Sequence, residues 1–262
     1  MSEKFYLALT LAAGLALAAN PAAGAPITFS ASTGSLSASA TFDVSGSNLI
    51  ITLTNASSAD VTGASQLLTA LFFDIAAGPT LTPVSAVLAS GNTVVPSGSP
   101  DGGGNVGGEW AYASGLSGAP ASLGISAAGF GFFGNANFNG PNLEGPGSGA
   151  VDGPQYGITS AGDDPSTYEG RPTPLIKNSA VFTLSGLPND PQFDPSHSIF
   201  NVSFQYGTSL GEQNLPGEPP DLGGVPEPGF LFALGFGLIV LAGLERKGMF
   251  SAIWRGTGVR QR

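Results

Sequence analysis

Short apolar runs, each interrupted after a few residues by Gly or Pro, are the feature that most restricts the fold of this chain. The sequence contains 40 Gly and 21 Pro among its 262 residues. Inside a helix, Gly costs about 1 kcal/mol and Pro about 3 kcal/mol relative to Ala. Short strands joined by tight turns tolerate both residues. We therefore predict an all-β fold for the body of the chain.

The clearest strand pattern occupies residues 36–54. Apolar residues alternate with Ser, Thr or Asp from Leu36 to Val44, and the turn Gly46-Ser47-Asn48 leads into a second alternating run. This pattern predicts a β-hairpin with one buried face and one solvated face. Residues 67–75 are apolar on both faces, which predicts a buried strand. Further strands are predicted at Leu81–Leu88, Glu109–Ala113, Gly124–Phe133, Ala180–Leu184 and Ile199–Tyr206.

These strands predict one domain over residues 26–215, an ectodomain with an antiparallel β-sandwich or jelly-roll-like fold. Its two long loops, residues 96–108 and 135–170, are rich in Gly and Asp. Loops of this length are typically functional or disordered.

The N-terminal residues 1–25 are predicted to be a signal peptide with a helical core. Lys4 precedes an apolar stretch at residues 5–19, Asn20-Pro21 ends it, and the small residues 22–25 follow. This order is typical of secretory signals that signal peptidase removes. Cleavage is expected after Gly24, with a cut after Ala18 as the alternative.

The C-terminal region has the features of a membrane anchor. Residues 216–228 form a Pro- and Gly-rich linker, and residues 229–244 are sixteen uncharged residues. At 1.5 Å per residue such a helix spans about 24 Å, somewhat less than the roughly 30 Å hydrocarbon core. Prolines precede the run and Arg246-Lys247 follow it, which favours a transmembrane helix with a cytoplasmic basic tail at residues 245–262. The acidic domain then lies outside the cell.

The C-terminal segment resembles the PEP-CTERM sorting signal. Val225-Pro226-Glu227-Pro228, a short Gly- and Leu-rich apolar run and the basic pair Arg246-Lys247 follow one another in the order of that family. The resemblance implies recognition by an exosortase, an integral-membrane cysteine transpeptidase that processes the chain near the Pro-Glu-Pro motif. The protein would then be held transiently in the inner membrane before it reaches the cell surface or extracellular matrix. Unlike most members, this chain continues well beyond the basic pair, to Arg262.

Several stretches of the body resemble the XDD-type exosortase-dependent surface proteins. They include NVGGEWAY, QYGITSAGDDPSTYEG, PLIKNSAVFTLSGLP and FQYGTSLGE, and the likeness covers most of residues 45–215. It implies a surface location and no particular activity. A structural or adhesive role follows, with exopolysaccharide as a neighbour.

The distribution of charge and the absence of cysteine exclude several functions. Between residues 25 and 224, two basic residues face 15 acidic ones, a net charge of −13. Such a surface repels phosphate backbones, so nucleic acid is excluded as a partner. Without cysteine, disulfides, thiolate zinc sites and a Cys nucleophile are excluded as well.

Few residues are candidates for chemistry, and the sequence predicts neither an enzyme nor a cofactor. The single histidine, His197, has Asp194 and two serines nearby, but neighbouring residues are not expected to face one another as a triad requires. It is predicted to be a surface-loop residue. Calcium is the one ligand that the loop acids suit, and the metal candidates are Asp101, Asp163 and Asp164.

The alternative function is a surface carbohydrate-binding or glycan-active module on the same anchor. Trp110 and Tyr112, if exposed, would supply a sugar-binding platform. Aromatic residues in strands more often belong to the core.

Overall fold

The computed structural model describes residues 24–95, 104–131, 143, 154–164, 174–188 and 193–220. All of them belong to one compact unit, Met1–Pro220, and the second unit, Asp221–Arg262, lies outside the described residues. The described residues contain thirteen strands, one short α-helix and two short 3-10 helices. The strands are β1 Ile27–Thr33, β2 Leu36–Ser45, β3 Asn48–Asn55, β4 Leu68–Ile75, β5 Thr82–Leu88, β6 Thr93–Val95, β7 Ala111–Ser114, β8 Leu123–Ser126, β9 Ile158–Thr159, β10 Leu175–Lys177, β11 Ser179–Ser185, β12 Ile199–Tyr206 and β13 Asn214–Pro216. Helix α1 is Pro195–Ser198, and the 3-10 helices are Ala64–Gln66 and Gly107–Glu109.

The strands form two sheets, and the all-β prediction is confirmed. The first sheet has the order β1-β2-β3-β11-β5, and all its pairs are antiparallel. The second has the order β13-β12-β4-β9-β10-β6, and β8 pairs with both β4 and β7. Its β9 and β10 run parallel, so the prediction of a wholly antiparallel domain is wrong for this pair. A parallel neighbour requires a crossover connection, which the residues between Thr159 and Leu175 provide.

Both sheets contribute to one hydrophobic core. In the predicted hairpin, the inward residues of β2 and β3 are buried, whereas the intervening polar residues keep partial contact with solvent. Phe42 of β2 meets Phe73 of β4 edge to face, with ring centroids 5.4 Å apart. Since these strands belong to different sheets, the aromatic pair joins them across the core.

Strand β4 is buried on both faces, as its continuous apolar sequence predicts. Leu71 and Phe73 face the main core. Phe72 and Ala70 instead contribute to a second small cluster with Ala111 and Ala121. The segment around β7 and β8 therefore covers the side of β4 that would otherwise face water.

Two predicted strands differ in extent. In the predicted strand Glu109–Ala113, Glu109 is the last residue of a 3-10 turn. The strand itself, β7, is Ala111–Ser114. Strand β8 ends at Ser126, whereas the prediction ran on to Phe133. The Ser126 hydroxyl accepts a hydrogen bond from the N–H of Ala128 at 2.9 Å and donates to its carbonyl at 2.6 Å. This local loop of hydrogen bonds replaces the strand ladder.

Strand pairing also extends into residues 216–218, so the predicted linker boundary at residue 216 is wrong for these three residues. Pro216 ends β13, and Gly217 N–H donates to the Val202 carbonyl at 2.8 Å. Glu218 then pairs with Ser30 of β1. The edge position makes this pairing compatible with proline, because an edge strand has one side without ladder partners.

No helix within the described residues is long and apolar enough to cross a membrane. The predicted signal peptide lies almost entirely outside those residues. The predicted transmembrane helix at 229–244 and the basic tail at 245–262 lie wholly outside them.

Candidate functional site

An open groove of about 580 Å³ lies at the edge where the two sheets meet. We call it the edge groove. One wall is the end of β1 with Ser37, and the other is β13 with its flanking residues. The groove is lined by Ser30–Thr33, Ser37, Gln213–Pro216 and Glu218.

A single backbone bridge closes one end of the edge groove. Ser30 N–H donates to the Glu218 carbonyl at 2.9 Å, and Glu218 N–H donates to the Ser30 carbonyl at 2.8 Å. The bridge is antiparallel. It links β1 of the first sheet to the extension of β13, which belongs to the second sheet.

Proline prevents this bridge from growing into a ladder. Two residues further along, the antiparallel register places Ser32 opposite Pro216. Pro216 has no N–H, so it cannot donate to the Ser32 carbonyl. Among the described residues the Ser30–Glu218 bridge accordingly stays isolated. Backbone groups of alternate residues point to the same side of a strand. Because Ser30 bonds away from β2, the N–H and C=O of Ser32 also face away from β2 and toward the groove.

A buried glutamine fixes the β13 wall. Gln205 is fully buried, and its side-chain nitrogen lies 2.9 to 3.3 Å from the carbonyl oxygens of Tyr206, Ser209 and Gln213. Its side-chain oxygen accepts a hydrogen bond from the side chain of Asn214 at 3.2 Å. These contacts of the buried Gln205 side chain hold the turn before β13 in one conformation.

Two of the three acids predicted as calcium ligands, Asp163 and Asp164, lie within the described residues. Asp101 lies outside the described residues. Asp163 is only 2% exposed, and its Oδ1 accepts the N–H of Val61 at 2.8 Å. Asp164 is exposed, and its own N–H donates to the Asp60 carboxylate at 3.0 Å. In the part of the chain that the structure describes, no three His, Cys, Asp or Glu residues are grouped so that they could hold a metal ion.

His197 does contact its sequence neighbours, contrary to the expectation that they would not face one another. Asp194 caps the single turn of α1, where its Oδ1 accepts the N–H of Ser196 at 2.9 Å. His197 Nδ1 lies 2.7 Å from Asp194 Oδ2 and 3.0 Å from Ser196 Oγ. The order Asp-Pro-Ser, a cap followed by proline at the first helical position, is the sequence signal for this turn.

This cluster lacks the geometry of a catalytic triad. In a triad the acid and the nucleophile bind opposite nitrogens of the imidazole. Here Asp194 and Ser196 both contact Nδ1 of His197. The ring therefore cannot take a proton from the serine at one nitrogen while the acid binds the other. Burial opposes ionisation of Asp194, but the hydrogen bonds from Ser196 and His197 outweigh it, and the pKa of Asp194 lies below its ordinary value. A capping aspartate that stays ionised fits a structural role.

The two aromatics considered for a sugar platform are core residues. Trp110 is fully buried, and its ring centroid lies 4.8 Å from that of Phe182. Its Nε1–H donates to the Tyr156 carbonyl at 3.1 Å. Tyr112 is 6% exposed, and burial raises the pKa of its hydroxyl to about 12. Neither ring is available to stack on a sugar.

The sorting-signal residues Val225, Pro226, Glu227, Pro228, Arg246 and Lys247 lie outside the described residues. The edge groove, in contrast, was not predicted from the sequence. Its only sequence signals are the proline at position 216 and the strand alternation that begins at Ile27. Comparison with protein-family models, with curated proteins and with solved structures found no match for this chain.

Proposed function

We propose that the chain is an exported surface protein, held transiently in the inner membrane by residues 229–244 and then processed by an exosortase near residues 225–228. Its ectodomain, a mainly antiparallel β-sandwich or jelly-roll-like fold, has a noncatalytic structural or adhesive role at the cell surface or in the extracellular matrix. The order of motif, uncharged run and basic pair at the C-terminus carries this proposal.

Two features of the described unit suit the proposed structural scaffold. Its strands build one core without disulfides, as an exported chain lacking cysteine requires. The single histidine is committed to a capping cluster in which acid and serine share one ring nitrogen. These features are consistent with a stable scaffold that presents edges and loops.

The glycan-binding alternative loses the observation that motivated it. Trp110 and Tyr112 contribute to the main core and cannot line an exposed platform. Exopolysaccharide remains a proposed neighbour of the protein on the strength of the family resemblance alone.

The test is to change the motif in the full chain, expressed in a bacterium that contains an exosortase. Glu227→Ala is expected to trap a membrane-bound precursor that retains Arg262, because the central acid of the motif is removed. The matched control is Asp221→Ala, which removes an acid of the same linker outside the motif. Cell fractionation and intact-mass measurement distinguish precursor from product.

Wild-type surface protein is expected to lack Arg262 and to begin between Ala19 and Pro26, after signal-peptidase cleavage. If the Glu227→Ala protein has the same mass and location as the wild type, exosortase sorting is refuted. If surface protein retains Met1, export through a cleaved signal is refuted.

A further inference from the structure

We propose that the edge groove accepts an extended polypeptide segment as an added β-strand, and that this segment carries Lys or Arg where it approaches Glu218. The groove would thereby give the domain a peptide-binding activity beyond sorting and surface exposure. It lies within residues 30–218 and does not depend on the sorting motif.

Strand β1 has backbone groups that the described residues leave uncovered on its outer side. On the opposite edge of the first sheet, β5 is covered by residues 104–106. Leu88 N–H donates to Gly104, and Val106 N–H donates to Ala86, each at 2.9 Å. Along β1, the described residues provide only the Ser30–Glu218 bridge as cover. Exposed strand edges pair readily with another chain unless they are blocked.

Both walls of the edge groove present backbone hydrogen-bond donors and acceptors. Ser32 presents its N–H and C=O from β1. On β13, the residues that bond toward β12 are Gln213, Leu215 and Gly217, so Asn214 presents its N–H and C=O to the other side. An extended peptide rises about 3.3 to 3.4 Å per residue, as the two groove strands do. Its N–H and C=O groups can therefore pair with the alternating donors and acceptors of a strand edge.

The β13 wall of the edge groove is held in one conformation before a peptide binds. Gln205 fixes the β12–β13 turn through three carbonyl contacts and holds the Asn214 side chain. A preformed edge loses less conformational freedom when it binds a strand than a mobile one would.

Charge selects the kind of strand. Glu218 is exposed and is the only ionisable residue among the described residues that line the groove. Across the described residues, Lys177 is the single Lys or Arg against nine Asp and Glu. A basic segment is attracted to such a surface, whereas a second copy of this acidic domain is repelled. The observations therefore favour a basic peptide over self-pairing.

A peptide also fits the groove better than a neutral glycan. Within the described part of the chain no aromatic side chain lines it, and stacking on an aromatic ring is a contact that sugar sites commonly use. The lining is instead made of small and polar side chains along two backbone edges, which leave room for a strand to approach closely.

The test uses the full chain in mild detergent. The probe is an acetylated, amidated peptide of alternating Thr and Val with one central Lys, and binding is measured by calorimetry. Ser32→Pro is expected to lower the affinity about tenfold, because it removes an outward N–H while leaving the β1–β2 ladder intact. The matched control is Thr28→Pro, which changes the same strand on the same side but outside the groove; its affinity should stay at the wild-type value.

A second variant separates loss of the site from loss of the fold. Pro216→Ala supplies the missing N–H opposite Ser32, so the bridge is expected to extend and close the groove. Peptide affinity should fall while the melting temperature rises, a combination that misfolding does not produce. Glu218→Gln should weaken binding of the Lys peptide about threefold and leave an otherwise identical Gln peptide unaffected.

Three results would overturn the proposal. The first is no binding of the Lys peptide to the wild type, or binding that Ser32→Pro leaves unchanged. The second is a neutral oligosaccharide such as cellohexaose that binds and loses affinity in Ser32→Pro, since this would make the groove a glycan site. The third is self-association in analytical ultracentrifugation that Ser32→Pro abolishes, since a second copy would then be the occupant.

Discussion

Asp74 shows how a single half-buried carboxylate organises one side of the second sheet. Its Oδ1 accepts the N–H of Ser122 at 2.9 Å and also the Ser122 hydroxyl, and its Oδ2 accepts the Asn201 side chain at 2.8 Å. Asn201 lies in an irregularity of β12 and has φ of 50°. Burial would raise the pKa of Asp74, but these hydrogen bonds outweigh it and lower the pKa below its ordinary value. The ionised form therefore stabilises the fold.

Asp74→Asn should destabilise the protein by about 1 kcal/mol at neutral pH, because charge-assisted hydrogen bonds become neutral ones at a partly exposed site. A folded-state pKa below the unfolded value of about 3.9 means that the contribution is present above that pH. It is lost as the pH falls through the folded pKa. Urea unfolding at a series of pH values should show wild type and variant converging in acid. A difference that persists unchanged in acid would contradict this interpretation. Asp43→Asn is the control, because the Asp43 carboxylate accepts a local hydrogen bond from the N–H of Val44, the next residue, at 2.7 Å.

At the scale of elements, Trp110 fixes the segment between a 3-10 turn and β7 against the core. Its ring packs on Phe182 of β11, and its N–H reaches the Tyr156 carbonyl. Trp110→Ala should cost about 3 to 5 kcal/mol through the cavity that it leaves. Trp110→Phe should cost less, about 1 to 3 kcal/mol, because it keeps the ring contact but removes the hydrogen-bond donor. Thermal unfolding followed by circular dichroism measures both.

The control is Phe200→Ala, since Phe200 is 46% exposed and should change stability little. Equal losses at positions 110 and 200 would show that Trp110 does not hold its segment in place.

The elements that the sequence predicted well are those long enough to show a period. The β2–β3 hairpin and β12 extend over eight or more residues, and β4 is mostly apolar. Strands β6, β9, β10 and β13 have only two or three residues, too few for alternation to be distinguished from a loop. Strand β1 has a clear alternation but directly follows the predicted signal peptide. The edge groove depends on the register between β1 and β13, which are far apart in sequence, so no local pattern indicates it.

At the scale of the whole molecule, the acidic surface sets how the protein responds to salt. Residues 25–224 have a net charge of −13. Like charges on a compact domain repel one another, so the melting temperature should rise with NaCl as the Debye length falls to about 10 Å at 0.1 M. A melting temperature independent of salt would contradict this.

Calcium is expected to add nothing beyond this screening. Asp163 is 2% exposed and its Oδ1 accepts the Val61 N–H, so this carboxylate faces the interior and not the solvent from which an ion would bind. Melting temperatures of the full chain in CaCl₂ and in NaCl of equal ionic strength should therefore agree. A specific rise with Ca²⁺ would reveal a native-state site by mass action. Loss of that rise in the Asp163→Asn, Asp164→Asn double variant would place the site in their loop, and loss only in Asp101→Asn would place it at residue 101. Either result would show that the acidic domain binds Ca²⁺ at a specific site in addition to the general repulsion among its like charges.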